Sequence, residues 1–140
     1  MLRTMLAALA FAGVALSASA SPTADPTHGV WLTQSRKAKI EIAPCGASIC
    51  GTVVWLADEK DGYIVRDTRN QDASKRTARL LGSQMMFGFK PSISGWTGGR
   101  IYNAEDGGTY RSEVAALANG TLSIKGCVGP ICRTQIWTRP

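Results

Sequence analysis

From residue 28 to residue 139, apolar side chains recur at every second position in short runs separated by glycine- and asparagine-rich turns. That rhythm predicts eight strands, over residues 28–34, 37–43, 49–56, 84–90, 96–103, 109–117, 121–127 and 131–139. The second sets charged residues against Ile40 and Ile42, as a half-buried strand does. The third is β-branched and almost continuously apolar, the mark of a buried strand. Glu105-Asp106-Gly107-Gly108 and Ala118-Asn119-Gly120 carry Asp-Gly and Asn-Gly hairpin signals between neighbouring runs. No stretch of helical period competes. The expectation is an all-β fold, a single antiparallel up-and-down barrel of about eight strands, with 15 glycines to serve its bends and bulges.

The first strand opens on Gly29-Val30-Trp31 and the last closes on Trp137-Thr138-Arg139. First and last strands of a meander barrel are neighbours, so Trp31 and Arg139 are expected to meet as a closure device, with Gly29 beside them. The plainer alternative leaves Trp31 as core and Arg139 as an exposed end.

One segment breaks the rhythm. Residues 57–79 form the only long connection and hold much of the polar chemistry, including Asp67, Asn70, Arg76 and Arg79. A loop of this length in a compact domain is functional, disordered or hiding a short helix. Its Asp, Asn and Arg residues suit side-chain to backbone bonding that covers one barrel mouth, with recognition of an anionic ligand as the alternative. Asp67, Asn70 and Asp72 lack the spacing of a calcium loop, so no metal is expected.

At the N-terminus, Arg3 precedes twelve apolar residues, Met5 to Leu16, and the small-residue motif Ala18-Ser19-Ala20. This is the form of a cleaved signal peptide over 1–20, too short to span a bilayer. A flexible leader at 21–27 and one domain at 28–140 follow, with periplasmic or secreted localisation. Without Arg3 the chain carries 15 basic and 10 acidic groups. That excess favours anionic envelope surfaces, but it lacks the dense basic stripe of a nucleic-acid binder. The four cysteines form two local pairs, Cys45/Cys50 and Cys127/Cys132, and export favours two local disulfides closing the barrel over metal binding. An even number of alternating strands puts the two pairs at opposite ends.

Catalytic constellations are weak. His28 is the sole histidine, no serine sits in a nucleophile-elbow context, and pairs such as Asp106 and Glu113 are commonplace. No enzyme and no cofactor are expected.

The ordered set Gly29-Val30-Trp31, Cys50-Gly51, Val53-Val54-Trp55-Leu56, Asp67 with Asn70, Arg76 and Arg79, Leu80-Leu81-Gly82, Trp96 to Tyr102, Gly107 with Tyr110, Leu122 with Gly126, and Trp137-Thr138-Arg139 resembles the small exported bacterial proteins grouped as domain of unknown function 2147. The resemblance covers essentially the whole mature region and departs from the family where Gln71, not proline, follows Asn70. It implies a calycin-type barrel, similar to lipocalins and fatty-acid-binding proteins, in which a first-strand Trp packs at the closed end under an Arg from the last strand. By analogy of fold, the leading function is binding of a small apolar or amphipathic ligand in the barrel. Trp55, Asp67, Asn70, Arg76, Arg79, Trp96 and Tyr102 are the candidate contacts, and Met85, Phe87 and Phe89 are further possible lining. The alternative is a non-enzymatic envelope module whose basic loop at 57–79 contacts anionic lipid, cell wall or a protein partner.

Overall fold

A computed structural model describes residues 10–18 and 24–140. Residues 1–9 of the expected signal segment, with Ser19 and Ala20 of the cleavage motif, lie outside the described residues, and residues 10–18 have no regular secondary structure. No helix among the described residues is long and apolar enough to cross a membrane.

Nine strands follow in order: β1 (Gly29–Leu32), β2 (Ala38–Cys45), β3 (Ser48–Leu56), β4 (Gln84–Phe87), β5 (Lys90–Ser92), β6 (Gly95–Asn103), β7 (Gly108–Ala116), β8 (Leu122–Val128) and β9 (Ile131–Trp137). All pair antiparallel, in the order β1-β2-β3-β4-β6-β7-β8-β9, with β5 also on β6. The run predicted over 84–90 is two short strands because Gly88 takes φ +75°, which breaks the extended chain between Phe87 and Phe89.

The expectation of a closed eight-stranded barrel is corrected: the sheet is an open, curled half-barrel. β1 and β9 form no ladder. They touch through one bridge, in which Leu32 and Thr138 exchange hydrogen bonds of 2.7 and 3.1 Å. The apolar alternation continues to Gln34, but the backbone leaves the sheet after Leu32. Thr33 Oγ1 accepts from Ala38 N–H and Arg36 adopts φ +63°, which together turn the chain into β2. In place of a strand, the Gln34 side-chain oxygen accepts the Ile136 N–H at 2.8 Å.

Nor do the disulfides close the curl. Cys45–Cys50 staples the β2–β3 hairpin and Cys127–Cys132 the β8–β9 hairpin, each between adjacent strands. With β4 and β5 lying along one line against β6, strand directions put these two turns at opposite ends of the sheet.

Much of the concave face is filled by the chain's own side chains. Trp31, Ile40, Ile42, Ile49, Val53, Met86, Phe89, Val114, Leu122, Ile124 and Trp137 are all buried there. Each contributes about 1.5–3 kcal/mol by leaving water. Met86 lies against Gly51, and Phe89 against Gly99; a Cβ at either glycine would collide with the side chain above it.

Candidate functional site

Strand direction sorts the turns into two ends. The 46–47, 93–94 and 117–121 turns share one end with residues 24–28; the 33–37, 104–107 and 129–130 turns share the other with the long loop at 57–83.

The first end is plugged. Trp31 donates from Nε1 to the Thr27 carbonyl at 2.8 Å, and Arg139 lies 3.6 Å over its ring. The Arg139 guanidinium also donates to the carbonyls of His28 (2.8 Å), Val30 (3.3 Å) and Pro26 (3.4 Å). Those carbonyls belong to β1 and the chain before it, so one side chain covers the indole and satisfies an edge. Gly29 makes room: it takes φ +109°, and a Cβ there would stand 2.5 Å from Arg139 Nη1.

The residues 25–27, placed by sequence in a leader, are docked here, with Thr27 buried. The Asp25 carboxylate accepts from the Thr27 N–H (2.8 Å) and hydroxyl (2.7 Å) and from Trp96 Nε1 (2.9 Å), and lies 3.5 Å from His28 Nε2. Burial pushes the Asp25 pKa up, but the Thr27 and Trp96 hydrogen bonds and the His28 charge outweigh it, leaving the carboxyl below its ordinary range. Sequence reasoning did not single out Asp25; the Asp25-Pro26-Thr27 run, an Asx-turn signal, was the available clue.

At the other end the long loop folds on itself. Asp67 N–H donates to Ala78 C=O and Leu80 N–H to Val65 C=O, a small ladder around the Arg66–Arg79 bridge. Inside it, Arg79 forks onto Glu59 at 2.9 and 2.7 Å, and Arg76 Nε donates to the Asn70 carbonyl at 2.7 Å. The hydrogen bond and charge of Arg79 hold Glu59 below the usual glutamate range. This pair's contribution is therefore complete above that range and is lost as pH falls through the lowered value.

Asp67 docks the loop to the sheet. It is buried, and its carboxylate accepts from Tyr102 Oη at 2.6 Å and from Asn70 Nδ2 at 2.7 Å. Burial first, then the Asp67 contact, pushes the Tyr102 hydroxyl up to about 12, so it stays a neutral donor. Arg69 donates to the Glu105 carbonyl in the β6–β7 turn, where Gly107 (φ +73°) lies directly against the Arg69 carbonyl. Neither Arg69 nor Gly107 was assigned a docking role from sequence. Tyr102→Phe is expected to cost about 1.5 kcal/mol, the scale of a hydrogen bond to a charged group. It should also remove the stability loss that a raised tyrosine causes between about pH 10 and pH 12. Urea melts at pH 8 and pH 11 check both, and equal sensitivity of the two proteins to alkali would refute the second.

The candidate contacts are thus divided. Asp67, Asn70, Arg76, Arg79 and Tyr102 come together at the loop end, while Trp96 sits at the plugged end on Asp25. Trp55 is 39% exposed on the outer face, under the Lys39 ammonium at 4.8 Å. Of the further lining residues, Phe89 is core and Phe87 is exposed. Among the described residues no three His, Cys, Asp or Glu side chains are grouped to hold a metal.

The family described as "Uncharacterized protein conserved in bacteria (DUF2147)" matches residues 29–139, which takes in every strand. The chain belongs to the DUF2147 family. No curated protein matches it. Among solved structures this DUF2147 chain is similar to protein HP1028 from Helicobacter pylori, whose description places it in the lipocalin family. The two share 22% identity over 84% of each chain, with a TM-score of 0.73. At that identity the likeness establishes a lipocalin-like fold for this DUF2147 member and nothing about what it binds.

Proposed function

We propose that this chain is an exported, non-enzymatic binding protein that takes a small amphipathic ligand on the open side of its curl, not in a deep interior cavity. Export is supported by the N-terminal apolar run and the two disulfides. The carrying observation is the contrast along the concave face. Much of that face is filled by buried side chains, whereas Ile131, Arg133 and Gln135, which alternation puts on the same face as buried Trp137, are all exposed on β9.

Polar and apolar groups are segregated there as an amphiphile requires. Arg133 pairs across the sheet with Gly126, Gly126 with Ser112, and Ser112 with Gly99, so the four share one row. The Ser112 hydroxyl is buried with no hydrogen-bond partner among the described residues. Exposed Arg133 suits an anionic or polar head, and Ile101, Val128 and Ile131 suit an apolar body. A basic loop as the docking device is less favoured. Residues 57–79 hold six basic and five acidic groups, and Arg66, Arg69, Arg76 and Arg79 are bonded within the loop or to its supporting turn.

The test is fluorescence titration with anilinonaphthalene sulfonate, an anionic amphiphile, alongside native mass spectrometry of gently extracted protein. Saturable binding, weakened at least fivefold by Arg133→Glu and unchanged by Ser123→Asp on the outer face, is expected. A bare protein that also gives no saturable signal would overturn the reading.

A further inference from the structure

We propose that the free edge of β9 is a docking edge for an extended, acidic segment of a partner polypeptide. This goes beyond the concave-face reading, because it uses backbone groups and not the inner side chains.

Strand geometry identifies the groups. Thr138 directs both its N–H and its C=O at Leu32, on the side of β9 away from β8. Backbone direction alternates along a strand, so Ile136, Thr134 and Cys132 point the same way. The Ile136 N–H does so visibly, donating to Gln34. The Ile136 carbonyl and both backbone groups of Thr134 and Cys132 then face outward with no strand beside them among the described residues. They span five residues, about 17 Å of template at 3.4 Å per residue. Every residue from Ile131 to Ile136 is exposed.

Proteins ordinarily blunt such edges with shortness, proline or lysine. This chain does so at β5, which is three residues long and carries Lys90 and Pro91. β9 has seven residues with neither, and a disulfide pins its hairpin. Below the Leu32–Thr138 bridge the seam is finished by Arg139 on the β1-side carbonyls; above it, it is left open.

Charge selects the occupant. Residues 29–39 and 131–140, which flank the seam, contain Arg36, Lys37, Lys39, Arg133 and Arg139 and no acid. The remainder of residues 21–140 holds ten basic and ten acidic groups. The net charge of +5 therefore falls in these two segments of the sequence; Lys39 is turned to Trp55 and Arg139 to Trp31, which leaves Arg36, Lys37 and Arg133 as the cations of the open part. A second copy pairing edge to edge would bring two such positive segments together, whereas an acidic strand gains both main-chain bonds and attraction.

The probe is a fluorescein-labelled decapeptide of alternating valine and glutamate, with its valine–lysine counterpart as control, titrated by anisotropy onto the disulfide-intact protein. The acidic peptide should bind saturably, at least tenfold more tightly than the lysine peptide. It should slow hydrogen exchange at the Thr134 and Cys132 amides. Thr134→Pro removes an outward N–H that no described strand uses, so it should weaken the peptide at least tenfold and leave anilinonaphthalene sulfonate binding intact; Thr134→Ala should bind as the parent does. Equal binding of the two peptides, or unchanged exchange at Thr134 and Cys132 in the parent protein, would overturn the proposal. So would a concentration-dependent dimer in which those amides are already protected, since the edge would then belong to a second copy.

Discussion

Arg139→Ala should lower the melting temperature by roughly 10 °C, the largest loss expected from any single exposed side chain in this protein. Three effects add. The guanidinium 3.6 Å over Trp31 is worth about 1–2 kcal/mol as a cation–π contact on a desolvated ring. The carbonyls of Pro26, His28 and Val30 lose their donor and must find water instead, at a cost of some tenths of a kcal/mol each. Trp31, only 1% exposed, then has one indole face uncovered, because the arginine stem that shields it is gone. The sum is about 2–3 kcal/mol, near 4 °C per kcal/mol for a domain of this size. Arg139→Lys should recover the charge but little else, since a point-like ammonium cannot reach three carbonyls while stacking on a ring. Thermal melts followed by tryptophan fluorescence decide it: a red-shifted native spectrum accompanies the loss if the lid has gone. An unchanged melting curve for Arg139→Ala would reduce the residue to an exposed end.

The same seam shows what a sequence does and does not carry. Alternation placed the strands because Ile40, Ile42, Val114, Leu122 and Ile124 each repeat with the pleat, and burial of one face leaves little freedom in register. Pairing of Trp31 with Arg139 was expected from the neighbouring ends of a meander barrel and from the family resemblance, and the contact is present although the barrel is open. Closure was not. Hydrophobic pattern states which face is inside, not whether two edges meet, and the departure of the backbone after Leu32 depends on a Thr33–Ala38 turn that alternation runs straight through. The break at Gly88 was hidden for a related reason, since a glycine in a strand pattern reads the same whether its φ is negative or +75°. In the candidate site, the polar loop at 57–79 could be expected to bond to itself from composition. Its anchor could not, because Asp67 is held by Tyr102, 35 positions away, and Arg69 by a turn 36 positions away.

Gly107→Ala tests that anchor and should cost about 3 kcal/mol or release the loop. Left-handed backbone at φ +73° penalises any L side chain by about 1–2 kcal/mol. The new methyl would also overlap the Arg69 carbonyl, a backbone atom that cannot rotate aside. The strain has one outlet, withdrawal of residues 67–70 from the β6–β7 turn, which would break the Tyr102–Asp67 and Arg69–Glu105 bonds together. The loss is therefore capped by the docking free energy of the loop. That cap gives a sharper signature than the loss itself. In Gly107→Ala, trypsin should cut after Arg69 and Arg76 well below the melting temperature, while the sheet stays folded. The double variant Gly107→Ala/Tyr102→Phe should be hardly less stable than Gly107→Ala alone, because a hydrogen bond already broken by withdrawal has nothing left to lose. Full additivity of the two substitutions would mean that Asp67 stays on Tyr102 when Gly107 is filled, and that the loop is held from within, not by the sheet.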